Sequence, residues 1–354
     1  MYRALRPLLF AMPPELAHHA TLGALRAAGR SNVIRLLAPK VRQAPRRLLG
    51  LTFPNPVGLA AGLDKNGRYI DALAGLGFGF LEVGTVTPRP QPGNPPPRLF
   101  RLPAARAVIN RMGFNNEGVD ALVRNLREVT YQGILGINIG KNRDTPLECA
   151  ADDYLQCLRK VHRHASYVTV NISSPNTPNL RQLQGAEALS HLLGQIAEER
   201  RRLADSEGRR VPMAVKLSPD LPESQVQQTA DLLVRHGIDT VIVANTMVGK
   251  ESVLGLRHGN ETGGLSGAPL TALARTAIAR FAKALAGAIP IIGAGGTMTG
   301  ADAASSIRAG ASLVQLYTGL VYAGPQLISE CVDAIAAAQS GGSTEDRFPH
   351  RIAT

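Results

Sequence analysis

Eight apolar segments rich in β-branched residues, separated by stretches of helical periodicity, constrain this chain more than any other feature. They fall at 57–62 (VGLAAG), 80–86 (FLEVGTV), 134–140 (ILGINIG), 167–172 (YVTVNI), 212–217 (PMAVKL), 240–245 (TVIVAN), 289–293 (IPIIG) and 313–318 (LVQLYT). Nearly continuous apolar runs mark strands buried on both faces, the habit of a parallel sheet. Helix-like stretches lie between them at 116–128, 152–165, 187–204, 223–236, 269–286 and 324–338. Strand and helix alternating in this way predict an α/β fold, a closed (β/α)8 TIM barrel rather than a doubly wound sheet. A length of 354 residues, 44% of them hydrophobic, suffices for one such barrel over residues 51–339.

In barrels of this kind the chemistry sits at the C-terminal ends of the strands. Here those ends carry Asp64 and Lys65, Thr85, Asn138 and Lys141, Asn171 and Ser174, Lys216, Asn245 and Thr246, Gly295 and Gly296, and Tyr317 and Thr318. The glycine turn Gly293-Ala294-Gly295-Gly296 after strand seven, with Tyr317-Thr318-Gly319 after strand eight, matches the usual phosphate site of the barrel. Glycines let backbone N–H groups approach a phosphate, and a helix N-terminus adds a favourable dipole. A phosphorylated ligand or a phosphate-bearing cofactor such as FMN is implied. Lys216 ends an otherwise apolar strand, so it enters the barrel mouth and needs an anionic partner; beside a flavin it would stabilise negative charge on the reduced ring. Lys65 could serve a substrate carboxylate or be an ordinary solvated loop lysine.

The segment 167–180 (YVTVNISSPNTPNL) leaves a strand into a loop with two prolines, so it can neither extend the sheet nor start a helix at once. Asparagine offers a donor and an acceptor without charge, and serine a hydroxyl that can move a proton. A plain Asn/Ser/Pro turn is the competing reading of these residues. The loop Asn110-Arg111-Met112-Gly113-Phe114-Asn115-Asn116 likewise gathers amides around a glycine, although Asn116 could simply cap the next helix.

The net charge of +12 is uneven. Residues 1–50 hold nine Lys/Arg against one acid, Glu15, which is +8 and leaves +4 for the rest. A basic end on a near-neutral body, with few aromatics and no Trp, predicts an anionic surface as partner and no nucleic acid. Residues 3–11 and 14–29 read as two short helices within an N-terminal pair (1–30). Leu5, Leu8, Leu9, Leu16, Leu22 and Leu25 offer an apolar face that either lies in a membrane interface or packs on the body. A basic linker (31–50) and a polar tail (340–354) complete the expected organisation. Nothing reaches the length of a transmembrane helix. Three cysteines, Cys149, Cys157 and Cys331, have no metal-ligand spacing and suggest buried thiols in a reducing compartment. The histidines, including His18, His19, His162 and His164, read as surface or packing residues. No metal site and no Ser-His-Asp set can be assembled.

Taken in order, the motifs NPVGLAAGLDKNG (55–67), EVGTVTPRPQPGNPPPRLFRL (82–102), NRMGFNN (110–116), GINIGKN (136–142), NISSPNTPNLR (171–181), AVKLSPD (214–220), ANT (244–246), TGGLSG (262–267), GAGG (293–296) and LYTG (316–319) resemble the dihydroorotate dehydrogenases, specifically their membrane-associated, quinone-dependent class. The resemblance runs from residue 1 to about 338. It implies oxidation of dihydroorotate to orotate with FMN as hydride acceptor and a membrane quinone as final acceptor, in de novo pyrimidine synthesis. Carried over by motif, the FMN contacts are Ala61, Gly62, Leu63, Asp64, Lys65, Thr85, Asn138, Asn171, Lys216, Ala244, Gly267, Gly296, Tyr317 and Thr318. The substrate contacts are Lys65, Asn110, Arg111, Met112, Gly113, Phe114, Asn171, Asn176, Asn245 and Thr246, and Ser174 is the base. Ala244 stands where the class often has Thr, so only a backbone contact survives there. The resemblance also implies a monomer bound peripherally to the cytoplasmic side of the inner membrane. Ser174, where the soluble classes carry Cys, and the N-terminal helix pair both point to quinone.

Two other enzyme readings are a dihydropyrimidine and a dihydrouridine reductase, which handle an uncharged ring and need no carboxylate partner such as Lys65. A nucleic-acid module would spread its basic residues over the body among aromatics. A purely structural membrane protein would not need polar strand ends.

Overall fold

The computed structural model describes residues 2–30 and 38–340. Two helices lead, α1 (Tyr2–Ala11) and α2 (Pro14–Arg30), followed by a hairpin of β1 (Arg46–Leu48) and β2 (Leu51–Phe53). The hairpin straddles position 50, where the sequence reading placed the end of the basic linker. Part of that linker (31–37) and nearly all of the polar tail (341–354) lie outside the described residues.

The barrel strands are β3 (Val57–Leu59), β4 (Phe80–Val86), β7 (Ile134–Ile139), β8 (Tyr167–Asn171), β9 (Met213–Leu217), β10 (Thr240–Val243), β12 (Ile291–Ala294) and β13 (Leu313–Leu316). Each pairs in parallel with the next, and β13 closes on β3, giving the predicted eight-stranded barrel. The expected helices also form, among them Ala150–Val161, Ala186–Glu207 and Glu223–Arg235. Three short helices, Ile70–Ala74, Gly300–Arg308 and Thr318–Ala323, were not anticipated, being too brief for a periodic signal.

A second sheet was also not anticipated. β5 (Leu99–Leu102), β6 (Ala107–Asn110) and β11 (Gly264–Gly267) form a three-stranded antiparallel layer in the order β11-β6-β5. Gly264–Gly267 is half glycine and has poor strand propensity; its pairing with β6, more than a hundred and fifty residues earlier, is what orders it.

The bottom of the barrel is filled. Phe53 from the hairpin meets Phe80 edge-on at 5.2 Å, and Phe80 meets Tyr167 at 6.4 Å. Ile134, Ala214, Ile242, Ile292 and Leu313 complete this buried cluster. Two inward glycines make the room. A Cβ on Gly58 would sit 2.3 Å from the Phe80 ring, and one on Gly136 would sit 2.2 Å from Tyr167.

The helix pair both packs on the body and keeps an outer face. Leu9, Leu22 and Leu25 turn inward, while Leu5, Leu8 and Leu16 stay exposed. The leucines thus divide between two faces, where the sequence suggested one. Arg98 clamps Glu15 with its Nε (3.0 Å) and Nη2 (2.6 Å). Arg101 donates from Nη1 to the Leu9 carbonyl at 2.8 Å and stacks 4.7 Å over the Phe10 ring. Among the described residues no helix is long and apolar enough to cross a membrane. Cys157 and Cys331 are buried as expected, but Cys149 is exposed.

Candidate active site

The strand ends open into a cavity at the C-terminal mouth of the barrel. Of the expected cofactor contacts, Ala61, Gly62, Lys65, Thr85, Asn171, Lys216, Ala244, Gly267, Gly296, Tyr317 and Thr318 line it. So do Asn110, Met112, Gly113, Phe114, Asn176, Asn245, Thr246 and Ser174.

Four expected contacts are placed elsewhere. Arg111 turns outward, 2.7 Å from Glu261 and 4.6 Å over the Phe100 ring, because that ion pair and stacking surface lie away from the mouth. The Asp64 carboxylate is occupied by the backbone N–H groups of Arg68 and Tyr69 and so braces its own loop. Leu63 faces a neighbouring apolar slot. Asn138 stands behind the wall, its Oδ1 accepting from Thr85 Oγ1 at 2.6 Å and Asn171 Nδ2 at 3.2 Å. Lys141, another strand-end residue, is buried against the carbonyls of Asn142 and Thr145. Asn116 is not a helix cap: it bonds Thr87, Phe114 and Gly118 within its own loop.

The glycines shape one end. Gly295 and Gly296 have φ +91° and +71°, and a Cβ on Gly296 would lie 2.3 Å from Thr271 Cα. Gly267 leaves equally little room, with Arg106 O at 2.3 Å. Across from them Thr318 opens the helix Thr318–Ala323, its hydroxyl 2.8 Å from Ser266 Oγ. At the other end Lys65 donates from Nζ to the Gly62 carbonyl at 2.8 Å. Burial, then the nearby Arg98 charge, pushes its ammonium down to about 8, with Glu15 and Asp64 opposing. Lys216 Nζ has no hydrogen-bond partner among the described residues; burial lowers its pKa, and the charge of Glu82 resists. A free ammonium, a backbone cradle that admits no side chain, and the buried Gln315 Oε1 with no partner fit an anionic, phosphate-bearing flavin.

The loop after β8 forms the opposite wall. Ser174 is 6% exposed, and its Oγ accepts the Asn176 N–H at 3.2 Å. Asn176 Nδ2 reaches Asn110 Oδ1 at 3.1 Å, and Asn245 Nδ2 reaches Ser173 Oγ at 3.0 Å. The buried hydroxyls Thr177 Oγ1 and Thr246 Oγ1 have no partner among the described residues.

A second cavity runs between the helix pair and the barrel. Leu9, Phe10, Ala17, Leu22, Leu25, Leu63, Leu73 and Leu76 line it, with His18 and Arg101 as polar groups. His18 therefore has a place the sequence reading did not give it. Burial, with Lys65 and His19, pushes it down to about 4, so the imidazole is uncharged at neutral pH. Leu99, Val108 and Tyr317 line both cavities.

Residues 44–338 match a family model described as dihydroorotate dehydrogenase. The chain belongs to the dihydroorotate dehydrogenase family. It is 58% identical over 336 residues to a dihydroorotate dehydrogenase (quinone) of Paraburkholderia phymatum, covering 95% of this chain and 98% of that one. A second relative of the same description, from Nitrosospira multiformis, is 57% identical over 342 residues, 97% and 98% of the two chains. A solved dihydroorotate dehydrogenase of Eimeria tenella in complex with ferulenol superposes with a TM-score of 0.84 at 36% identity, covering 93% of this chain and 92% of that one. The chain is thus an oxidoreductase of pyrimidine biosynthesis that oxidises dihydroorotate with a quinone as acceptor, in a family that is flavin-dependent.

Sequence reasoning missed Leu99, Val108 and Ser266, which arrive on the unanticipated sheet, and Gln315 and Glu82 inside the barrel. For the last two a signal existed: each is a polar residue at an inward position of an apolar strand, as Lys216 is.

Proposed function

We propose that the flavin is FMN, that Ser174 is the base for dihydroorotate, and that the apolar slot admits the quinone. The observation that carries this reading is the shared wall: a polar cavity and an apolar one meet at Leu99, Val108 and Tyr317. Ala61, Gly62, Thr85, Lys216, Gly267 and Gly296 would hold FMN in the polar cavity, where it would supply a hydride acceptor for C6 of dihydroorotate and an electron-pair donor for quinone.

The chain's own residues do the rest. Lys65 holds the substrate carboxylate. Asn110, Asn176 and Asn245 fix the pyrimidine ring, and Asn171, tied to Thr85 and Asn138, stands between the two ligands. Ser174 takes the C5 proton. Serine is a weak base, so its own proton must leave, and the unpartnered Thr177 hydroxyl, three residues on, suits that relay. The Gly295-Gly296 turn and Thr318 receive the phosphate. Exposed Leu5, Leu8 and Leu16 beside a +8 N-terminal segment suit an anionic membrane surface. We therefore place the protein as a peripheral monomer on the cytoplasmic side of the inner membrane.

The purified protein is expected to be yellow, to release FMN on denaturation, and to bleach anaerobically with dihydroorotate. Its colour should return with quinone and not with fumarate or NAD. A colour that survives dihydroorotate, or returns equally with fumarate, overturns the proposal.

A further inference from the structure

Between the aromatic plug and the cavity floor lies a carboxylate that lines neither cavity. Glu82 of β4 is wholly buried and accepts three hydrogen bonds at 2.8 Å, from Asn138 Nδ2, Tyr167 Oη and Gln315 Nε2. All three donors are neutral. A buried carboxylate so placed calls for a cation, and the cation that feels it is Lys216, which lines the cavity with Gln315 and pairs in register with Asn171, itself bonded to the Asn138 amide that Glu82 holds. Lys216 in turn has no acceptor among the described residues, and burial works against its charge. Each of the two groups thus supplies the charge compensation the other lacks.

The same carboxylate orders the amides. A carboxylate only accepts, so Asn138 and Gln315 must both present their NH2 groups to it and turn their oxygens away. Asn138 Oδ1 then receives Thr85 and Asn171, while Gln315 Oε1 is left buried and unpartnered in a residue that lines the cavity. The floor therefore offers an acceptor and an ammonium, a pattern matched to the N–H and carbonyl groups of a cyclic imide.

We propose that Glu82 is a positioning residue for the flavin: it keeps Lys216 charged and fixes the Gln315 and Asn138 amides, and so raises the midpoint potential of the bound flavin without touching it. The proposal rests on the FMN reading above.

The test is the midpoint potential of flavin bound to the full-length protein, wild type against Glu82→Gln. Losing the carboxylate leaves Lys216 readily neutralised. The reduced flavin should then bind at least tenfold more weakly relative to the oxidised form, a fall of about 30 mV for a two-electron couple. Glu82→Asp, which keeps the charge, should recover most of it. In a Lys216→Met background, Glu82→Gln should lower the potential no further, because both changes remove one effect. A carboxylate acting directly on the flavin through space predicts a rise, and a merely structural residue predicts lower flavin occupancy at an unchanged potential; either overturns the proposal. If Glu82→Gln does not fold, Lys216→Met alone decides, since an unchanged potential there removes the route. Wild-type protein without flavin would instead defeat the functional reading, which keeps the two failures apart.

Discussion

The two cavities share three residues, yet they are built in opposite ways. The polar one is assembled from barrel strand ends, where one residue type after another was placed by the alternation of strand and helix. The apolar one draws on α1, α2, the Leu63–Leu76 region, β5, β6 and the helix Thr318–Ala323, segments far apart in the chain. One is lined by amides, hydroxyls and lysines that can hold a polar ring by hydrogen bonds. The other is a greasy slot with a neutral imidazole, suited to a ligand recognised by shape and burial. On the function proposed above, the contrast would separate two half-reactions, one that moves a proton and a hydride and one that unloads electrons into an apolar acceptor.

Damage to one cavity should therefore leave the other half-reaction running. Ser174→Ala is expected to slow flavin reduction by dihydroorotate by about 10²-fold or more, while pre-reduced protein still reoxidises with quinone at the wild-type rate. Removing residues 1–30 should do the reverse, abolishing quinone turnover while leaving FMN bound and bleachable. Stopped-flow traces of each half-reaction check both, and quinone turnover that survives the deletion would break the contrast.

A smaller effect concerns the polar side alone. Burial pushes the Lys65 ammonium down to about 8, which predicts that its charge is complete well below that pH and lost above it. If it pairs with the substrate carboxylate, kcat/KM for dihydroorotate should fall, by about tenfold per pH unit at the limit, as pH rises beyond 8. Lys65→Arg should move that fall out of range. A flat profile from pH 7 to pH 9.5 would remove the ammonium from substrate binding.

The smallest expected change sharpens the apolar side. Arg98 ties α2 to the body through Glu15 and also bonds the carbonyls of Pro92 and Asn94. Arg98→Ala should cost about 1–3 kcal/mol of local order, seen as a several-fold higher KM for quinone. Flavin reduction should be affected far less, and an unchanged quinone KM would show that the slot does not depend on this clamp.

The same division governs what could be read from the sequence. A buried parallel strand announces itself by a continuous apolar run, and the residue that follows it is placed at the mouth by topology alone. Thr85, Asn171, Lys216 and Tyr317 are therefore legible as mouth residues in the sequence itself. Arg111 was not, because its turn away from the mouth depends on Glu261 and Phe100, neither near it in sequence. The sheet of β5, β6 and β11 was invisible for the same reason: its strands are four residues long and owe their order to each other. Leu99 and Val108, which it delivers to the shared wall, could only follow from it. Glu82 was legible in principle, since a lone acid in Phe80-Leu81-Glu82-Val83 conflicts with an apolar strand, but which donors meet it depends on three other strands.

The glycines at 58 and 136 have a consequence beyond packing. By yielding their space to Phe80 and Tyr167 they turn the barrel from a tube into a vessel closed at one end. Nothing can reach the cavity floor from below, so all traffic must be sorted at the rim, where the loop after β8 stands on one side and the helix pair on the other. On the function proposed above, substrate and electron acceptor would enter by separate doors on either side of one shared wall.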